Sequence, residues 1–384
     1  MNLFDVYPLF DITPVKAQGA YVWDENGKRY LDLYGGHAVI SIGHSHPHYV
    51  KRIARQLYDI GFYSNSVKMP LQQELADKLG ELSGYNDYSL FLCNSGAEAN
   101  ENALKLASFL TGRKKVIAFK GAFHGRTSAA VAATDDPKIQ APINETDNII
   151  FLPLNDINAF GNALLEHGPE LAAVIIEGIQ GVGGVQLPET SFLKAIAAGC
   201  EKAGALLILD EVQSGYGRSG KFFAHQHADV KPHLITMAKG MGNGFPVAGV
   251  LVNPEIKAKH GMLGTTFGGN YLACVAALAV LEVMEQENLM QNAQNIGNWL
   301  MDVLRQMPGI KDVRGKGLMI GVELHQPCAA LRKQLLDDYG IFTGSSSDKN
   351  TLRLLPPLCI GAREVQKFLQ AFEEVLLKAE LQTV

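Results

Sequence analysis

Three polar residues end apolar runs in this chain, and each is of a type that does chemistry. Glu177 follows AAVII at 172–176, Asp210 follows ALLIL at 205–209, and Lys239 follows LITMA at 234–238. Desolvation and neighbouring cations depress a lysine, and its neutral amine can then form a Schiff base. The plain alternative is a surface lysine beside the glycine-rich stretch GMGNG. Asp210 could cap a helix, ligate a metal, or face the ring nitrogen of pyridoxal phosphate, keeping that ring protonated as an electron sink. In NSGAE, Ser95 and Glu98 satisfy the S-x-x-E capping pattern. The same stretch could cradle a phosphate, because Gly96 lets backbone N–H groups approach an anion at a helix N-terminus. In FHGRT, Phe123 could stack on a flat cofactor and the Arg126 fork could hold a carboxylate. His124 reads as support for such a pocket rather than as a general base.

Helix-like and strand-like stretches must place these groups. Short apolar strands alternate with helical stretches such as 94–110 and 190–203. Apolar rather than period-two strands predict an α/β fold, a mostly parallel sheet with helices on both faces. Ligands bind beyond the carboxyl ends of such strands, where Glu177, Asp210 and Lys239 fall. Lys239 follows Asp210 by 29 residues (239 − 210), room for one crossover between neighbouring strands. Beyond Asn270 the texture changes to a smaller α+β domain, with 271–307 reading as one long helical region. The expected division is an N-terminal segment, 1–50, packing with the small domain, a large domain over 51–270, and the small domain over 271–384.

Composition narrows the partners. The 384 residues carry a net charge of −5, which argues against nucleic acid. The longest uncharged apolar run, 272–281, is ten residues, about half a membrane span. The N-terminus has no basic n-region, so no signal peptide is expected. Five scattered cysteines without Cys-x-x-Cys suit reduced thiols in a cytoplasm. His44, His46 and His48 alternate, but Pro47 interrupts them and no acid or cysteine completes a metal set nearby. They read as surface turn or helix-start residues, as do His225 and His227, and no metal is expected. GYGRSG at 215–220 matches G-x-G-x-x-G but neither follows its strand directly nor opens a helix, so it is a poor dinucleotide fingerprint. Arg218 within it reads as an ion-pair residue.

NSGAEAN, FHGRT, LDEVQSGYGRSG, MAKGMGNGFP, TTFGGN and LRLLPPL, in this order, resemble the class III, fold type I pyridoxal-phosphate aminotransferases, nearest the acetylornithine and N-succinylornithine aminotransferases. The resemblance runs from about Tyr21 to the C-terminus. It implies that Lys239 carries the cofactor and shuttles the proton, and that Asp210 pairs with the pyridine nitrogen. Ser95, Gly96 and Ala97 would hold the phosphate, with Thr266 reaching it from the other subunit of a homodimer. Phe123 and Val212 would sandwich the ring, and Gln213 would lie near its hydroxyl. Thr265 would border the substrate, Arg126 would bind its carboxylate, and Arg353 would serve glutamate or 2-oxoglutarate. The activity implied is transfer of the terminal amino group of an N2-acyl-ornithine to 2-oxoglutarate, as in arginine metabolism. Ornithine or 4-aminobutyrate aminotransferase is the alternative. One departure stands out: where the family reads E-P-x-x-G-E-G-G, this chain has Val182 at the second glutamate.

Overall fold

A computed structural model describes residues 1–381. Its central sheet has seven strands, in spatial order Ser89–Cys93, Ala248–Val252, Leu234–Met237, Leu206–Asp210, Leu171–Glu177, Lys115–Phe119 and Ile149–Leu152. Ala248–Val252 pairs antiparallel with both neighbours, and the other six strands share one direction. The expected α/β class and mostly parallel sheet are therefore observed. Leu171–Glu177, Leu206–Asp210 and Leu234–Met237 are buried along their whole lengths, which is why their sequences are apolar apart from Glu177, Asp210 and Thr236.

Register decides what the sheet presents. Glu177 pairs with Asp210, and Asp210 pairs with Thr236, across three adjacent parallel strands. The carboxyl ends of these strands thus carry two acids and a hydroxyl in one row, with Lys239 three residues beyond Thr236. The helix Gly96–Thr111 crosses one face, burying Ala99, Ala103, Leu104 and Ala107. Thr190–Ala203 covers the other, with Phe192, Leu193 and Ile196 in a separate core.

Two smaller sheets complete the fold. Pro14–Gln18, Tyr21–Asp24 and Arg29–Asp32 form a meander that Ile341–Phe342 joins in parallel. Ile310–Lys316, Met319–Leu324 and Thr351–Leu354 form an antiparallel sheet. The single helix expected over 271–307 is instead two, Tyr271–Gln286 and Leu289–Leu304. Asn288 breaks it with φ of +51°, a left-handed conformation that asparagine tolerates better than most residues. Tyr271–Gln286 is apolar nearly all round because it is buried nearly all round.

Candidate active site

At the carboxyl ends of the central strands lies a cavity of about 280 Å³. Ser95, Gly96, Ala97, Phe123, Asp210, Val212, Gln213 and Lys239 line it, together with Glu177, Asn100, His124 and Val182. Eight of the twelve residues to which the resemblance assigns roles therefore meet in one place. The other four lie outside its lining. Thr265 is half-buried and accepts from Asn94 Nδ2 at 3.2 Å, one residue from the Ser95 turn. Thr266 and Arg126 are exposed, and Arg353 is buried one hydrogen bond behind Gln213.

The phosphate-cradle turn is built by a split cap. The Ser95 hydroxyl accepts from Glu98 N at 3.2 Å, the forward half of a capping box. The Glu98 carboxylate, however, reaches Asn94 N at 2.8 Å rather than the N-cap amide. The amides of Ser95, Gly96 and Ala97 meet no protein acceptor among the described residues. Three donors at the positive end of a sixteen-residue helix suit a phosphate. Gly96 is required for space: a Cβ there would stand 2.6 Å from Val212 Cγ1.

Asp210 is 3% exposed and fully engaged. Its Oδ2 accepts from His124 Nδ1 and from Asn100 Nδ2, both at 2.7 Å, and its Oδ1 accepts from Val212 N at 3.0 Å. Asn100 Oδ1 in turn accepts from the Thr236 hydroxyl at 2.6 Å. This fixes the carboxylate in the cavity wall and determines the tautomer of His124, whose Nδ1 must carry the proton. Sequence reading missed Asn100 and Thr236. A signal for Asn100 exists: it is a polar residue on the otherwise apolar face of its helix.

Glu177 is buried and accepts from Phe123 N and Gly181 N, both at 2.9 Å, tying the Phe123 loop to the glycine cluster. Burial raises its pKa above the usual carboxylate value, with the charge of Asp210 adding to the effect. Lys239 has φ of +46°, a left-handed conformation that costs a lysine on the order of 1 kcal/mol. Burial lowers its pKa, and Arg353 acts the same way; Asp210 and Glu177 oppose them. A cavity wall with a neutral-prone amine, a fixed carboxylate and an anion-binding turn fits pyridoxal phosphate at both of its polar ends.

Two expectations need correction, the Arg218 ion pair and the surface placement of His225. Arg218 makes no ion pair among the described residues; it donates to the carbonyls of Leu318, Pro356 and Ile40, because three loops converge on it. His225 is fully buried rather than at the surface, between Glu211 at 2.7 Å and the Tyr85 hydroxyl at 2.6 Å. His44, His46 and His48 bond three separate acids, Asp32, Glu287 and Glu282. Cys93, next to the cradle, is buried, and burial pushes its thiol up to about 12. Among the described residues no helix is long and apolar enough to cross a membrane.

The family model "Aminotransferase class-III" matches residues 5–376. The acetylornithine aminotransferase of Bacillus subtilis (strain 168) is 41% identical over 381 residues, 98% of this chain and 97% of the relative. That of Archaeoglobus fulgidus is 42% identical over 369 residues, covering 95% and 96%. Among solved structures, the ornithine aminotransferase of Toxoplasma gondii with pyridoxal phosphate at partial occupancy in its active site superposes with a TM-score of 0.91. It is 29% identical, covering 98% of this chain and 92% of that one.

Proposed function

The chain belongs to the class III aminotransferases, pyridoxal-phosphate enzymes of fold type I, and from that premise we propose that it transfers the terminal amino group of an N2-acyl-ornithine to 2-oxoglutarate. The products are an N-acylglutamate semialdehyde and glutamate. The observation that carries this reading is the single cavity in which Lys239, Asp210 and the Ser95 turn meet. The near-full-length likeness to acetylornithine aminotransferases supports the substrate class.

When bound, pyridoxal phosphate supplies an aldehyde that takes up the amino group and a protonated ring that accepts the electrons of the broken C–H bond. The residues of this chain do the rest. The amides of Ser95, Gly96 and Ala97 and the Ser95 hydroxyl hold the phosphate dianion against the helix dipole. Asp210, pinned by Asn100 and His124, keeps a proton on the ring nitrogen. Phe123 and Val212, which line the cavity, would flank the ring, and Gln213 would lie near its hydroxyl. Lys239, whose pKa burial lowers, would be the covalent attachment point and would carry the proton between donor carbon and cofactor. Arg126 orients the donor α-carboxylate beside Thr265, and Arg353 takes an acceptor carboxylate. Thr266 reaches the phosphate of a second copy in a homodimer, in the cytoplasm.

Ornithine aminotransferase is the second reading, favoured by the Toxoplasma likeness. Amino-donor profiling with 2-oxoglutarate decides between them. Glutamate formation from N2-acyl-ornithine at a kcat/KM well above that for ornithine or 4-aminobutyrate supports the proposal, and a preference for free ornithine removes it.

A further inference from the structure

The turn that carries Lys239 is bent in a way that its own residues do not favour. Within 239–244, Lys239, Asn243 and Gly244 have φ of +46°, +48° and +104°. Glycine adopts such angles freely and asparagine tolerates them, but a lysine is strained there. The backbone bonds inside the turn are short in range. Met241 N donates to the Ala238 carbonyl at 2.9 Å, Gly242 N to that of Lys239 at 3.0 Å, and Phe245 N to that of Gly242 at 3.0 Å. A strained residue persists when its surroundings over-determine it.

Those surroundings come from the N-terminal segment, about 200 residues away. Asn243 is 6% exposed and Ser41 is 1% exposed. Asn243 Oδ1 accepts from the amides of Ser41 and Ile42 at 2.8 and 3.1 Å, and its Nδ2 donates to the Gly43 carbonyl at 2.9 Å. The Ser41 hydroxyl donates to the Gly240 carbonyl at 2.8 Å, and the Tyr49 hydroxyl to the Gly242 carbonyl at 2.6 Å. A Cβ on Gly240 would stand 3.4 Å from Ser41 Cβ, so this strap lies directly on the turn.

The strap is anchored elsewhere too. The Leu33 and Ser41 carbonyls accept from Leu355 N at 2.8 Å and Leu358 N at 2.7 Å, just beyond the strand Thr351–Leu354. Gly19 and His44 exchange backbone bonds at 3.0 and 2.9 Å. Between these anchors Val39 lines the cavity, and Gln213 Nε2 donates to the His37 carbonyl at 3.2 Å. The strap thus runs from the small antiparallel sheet, along the cavity wall, to the lysine turn. In the sequence Asn243 is one polar letter in the stretch GMGNG. In the fold its amide acts as donor and acceptor at once, from a backbone conformation that suits asparagine.

We infer that Asn243, together with Ser41, is a positioning residue: the strap holds the turn in its left-handed form and so keeps the Lys239 amine in the cavity wall where the cofactor must meet it. This rests on the reading of Lys239 as the attachment point.

Asn243→Gly tests it, because glycine keeps the left-handed backbone and removes only the side-chain bonds. In this variant, stripped of cofactor and given pyridoxal phosphate again, borohydride-fixed cofactor should accumulate about tenfold more slowly. In the loaded variant kcat should fall about tenfold, while KM for donor and acceptor stays within about twofold. Ser41→Ala, which loses only the bond to Gly240, should show the same pattern at severalfold size, and carries the test if Asn243→Gly does not fold. An attachment rate within twofold of the parent in both folded variants overturns the inference. So does a rise in KM that accounts for the whole loss of kcat/KM. The parent enzyme separates the two levels. If borohydride fixes cofactor on its Lys239 while the variants attach at the parent rate, only the role of the strap fails. If the parent fixes none, the attachment reading and this inference fall together.

Discussion

Asn100 Nδ2 meets Asp210 Oδ2 at 2.7 Å, joining the first turns of one helix to the end of a strand 110 residues away. Because Asn100 also accepts from Thr236, the carboxylate of Asp210 is held by a chain that starts on the neighbouring strand. Asn100→Ala should leave cofactor on the enzyme and lower kcat by about tenfold, as expected for loss of one hydrogen bond to a charged group. Asp210→Ala should cost far more. Single-turnover absorbance changes check both, and an Asn100→Ala enzyme with normal kcat removes Asn100 from the support of Asp210.

Lys239→Ala should lower turnover by at least about 10³-fold and abolish borohydride-fixed cofactor. The lowered pKa of Lys239 adds a pH prediction. The neutral amine is the reactive form, so re-attachment of cofactor to stripped enzyme should rise with pH and reach its midpoint below the ordinary lysine value of 10.5. A midpoint at or above that value would show that burial does not control this amine.

Gly96→Ala should weaken cofactor binding by about tenfold or more, since the new Cβ would meet Val212 Cγ1 at 2.6 Å. Val212→Ala should restore part of the loss by removing the obstruction. Fluorescence titration of both variants reads this, and additive losses in the double variant argue against a steric cause.

Arg126→Ala should raise the donor KM by tenfold or more while cofactor retention stays normal, because Arg126 is exposed and lies outside the cofactor cavity. Unchanged kinetics sink its role as a carboxylate clamp.

Arg218→Met should destabilise the fold by about 3 kcal/mol, because it strips the carbonyls of Leu318, Pro356 and Ile40 of a buried donor. Arg218→Lys should recover little, since one ammonium cannot span the positions reached by a guanidinium fork. Thermal unfolding of both variants measures it.

Much of the active centre was legible along the chain because it is made of local signals. Apolar runs ending in Glu177, Asp210 and Lys239 mark strand ends, and a serine followed by glycine marks a helix start, whatever else surrounds them. Arg218 and His225 were misread because a charged side chain looks solvent-bound in sequence until the loops that bury it are known. The helix break at Asn288 was missed because no glycine or proline marks it in the sequence.

The sequence by itself determined which groups could do chemistry and that a parallel sheet would carry them, since residue type and hydrophobic period are properties of neighbours along the chain. Only the tertiary structure decided that Asn100 and His124 converge on the Asp210 carboxylate and that Arg353 is buried one hydrogen bond behind Gln213. Those relationships join segments scores of residues apart, and they arise from sheet register and helix packing, which no local pattern encodes.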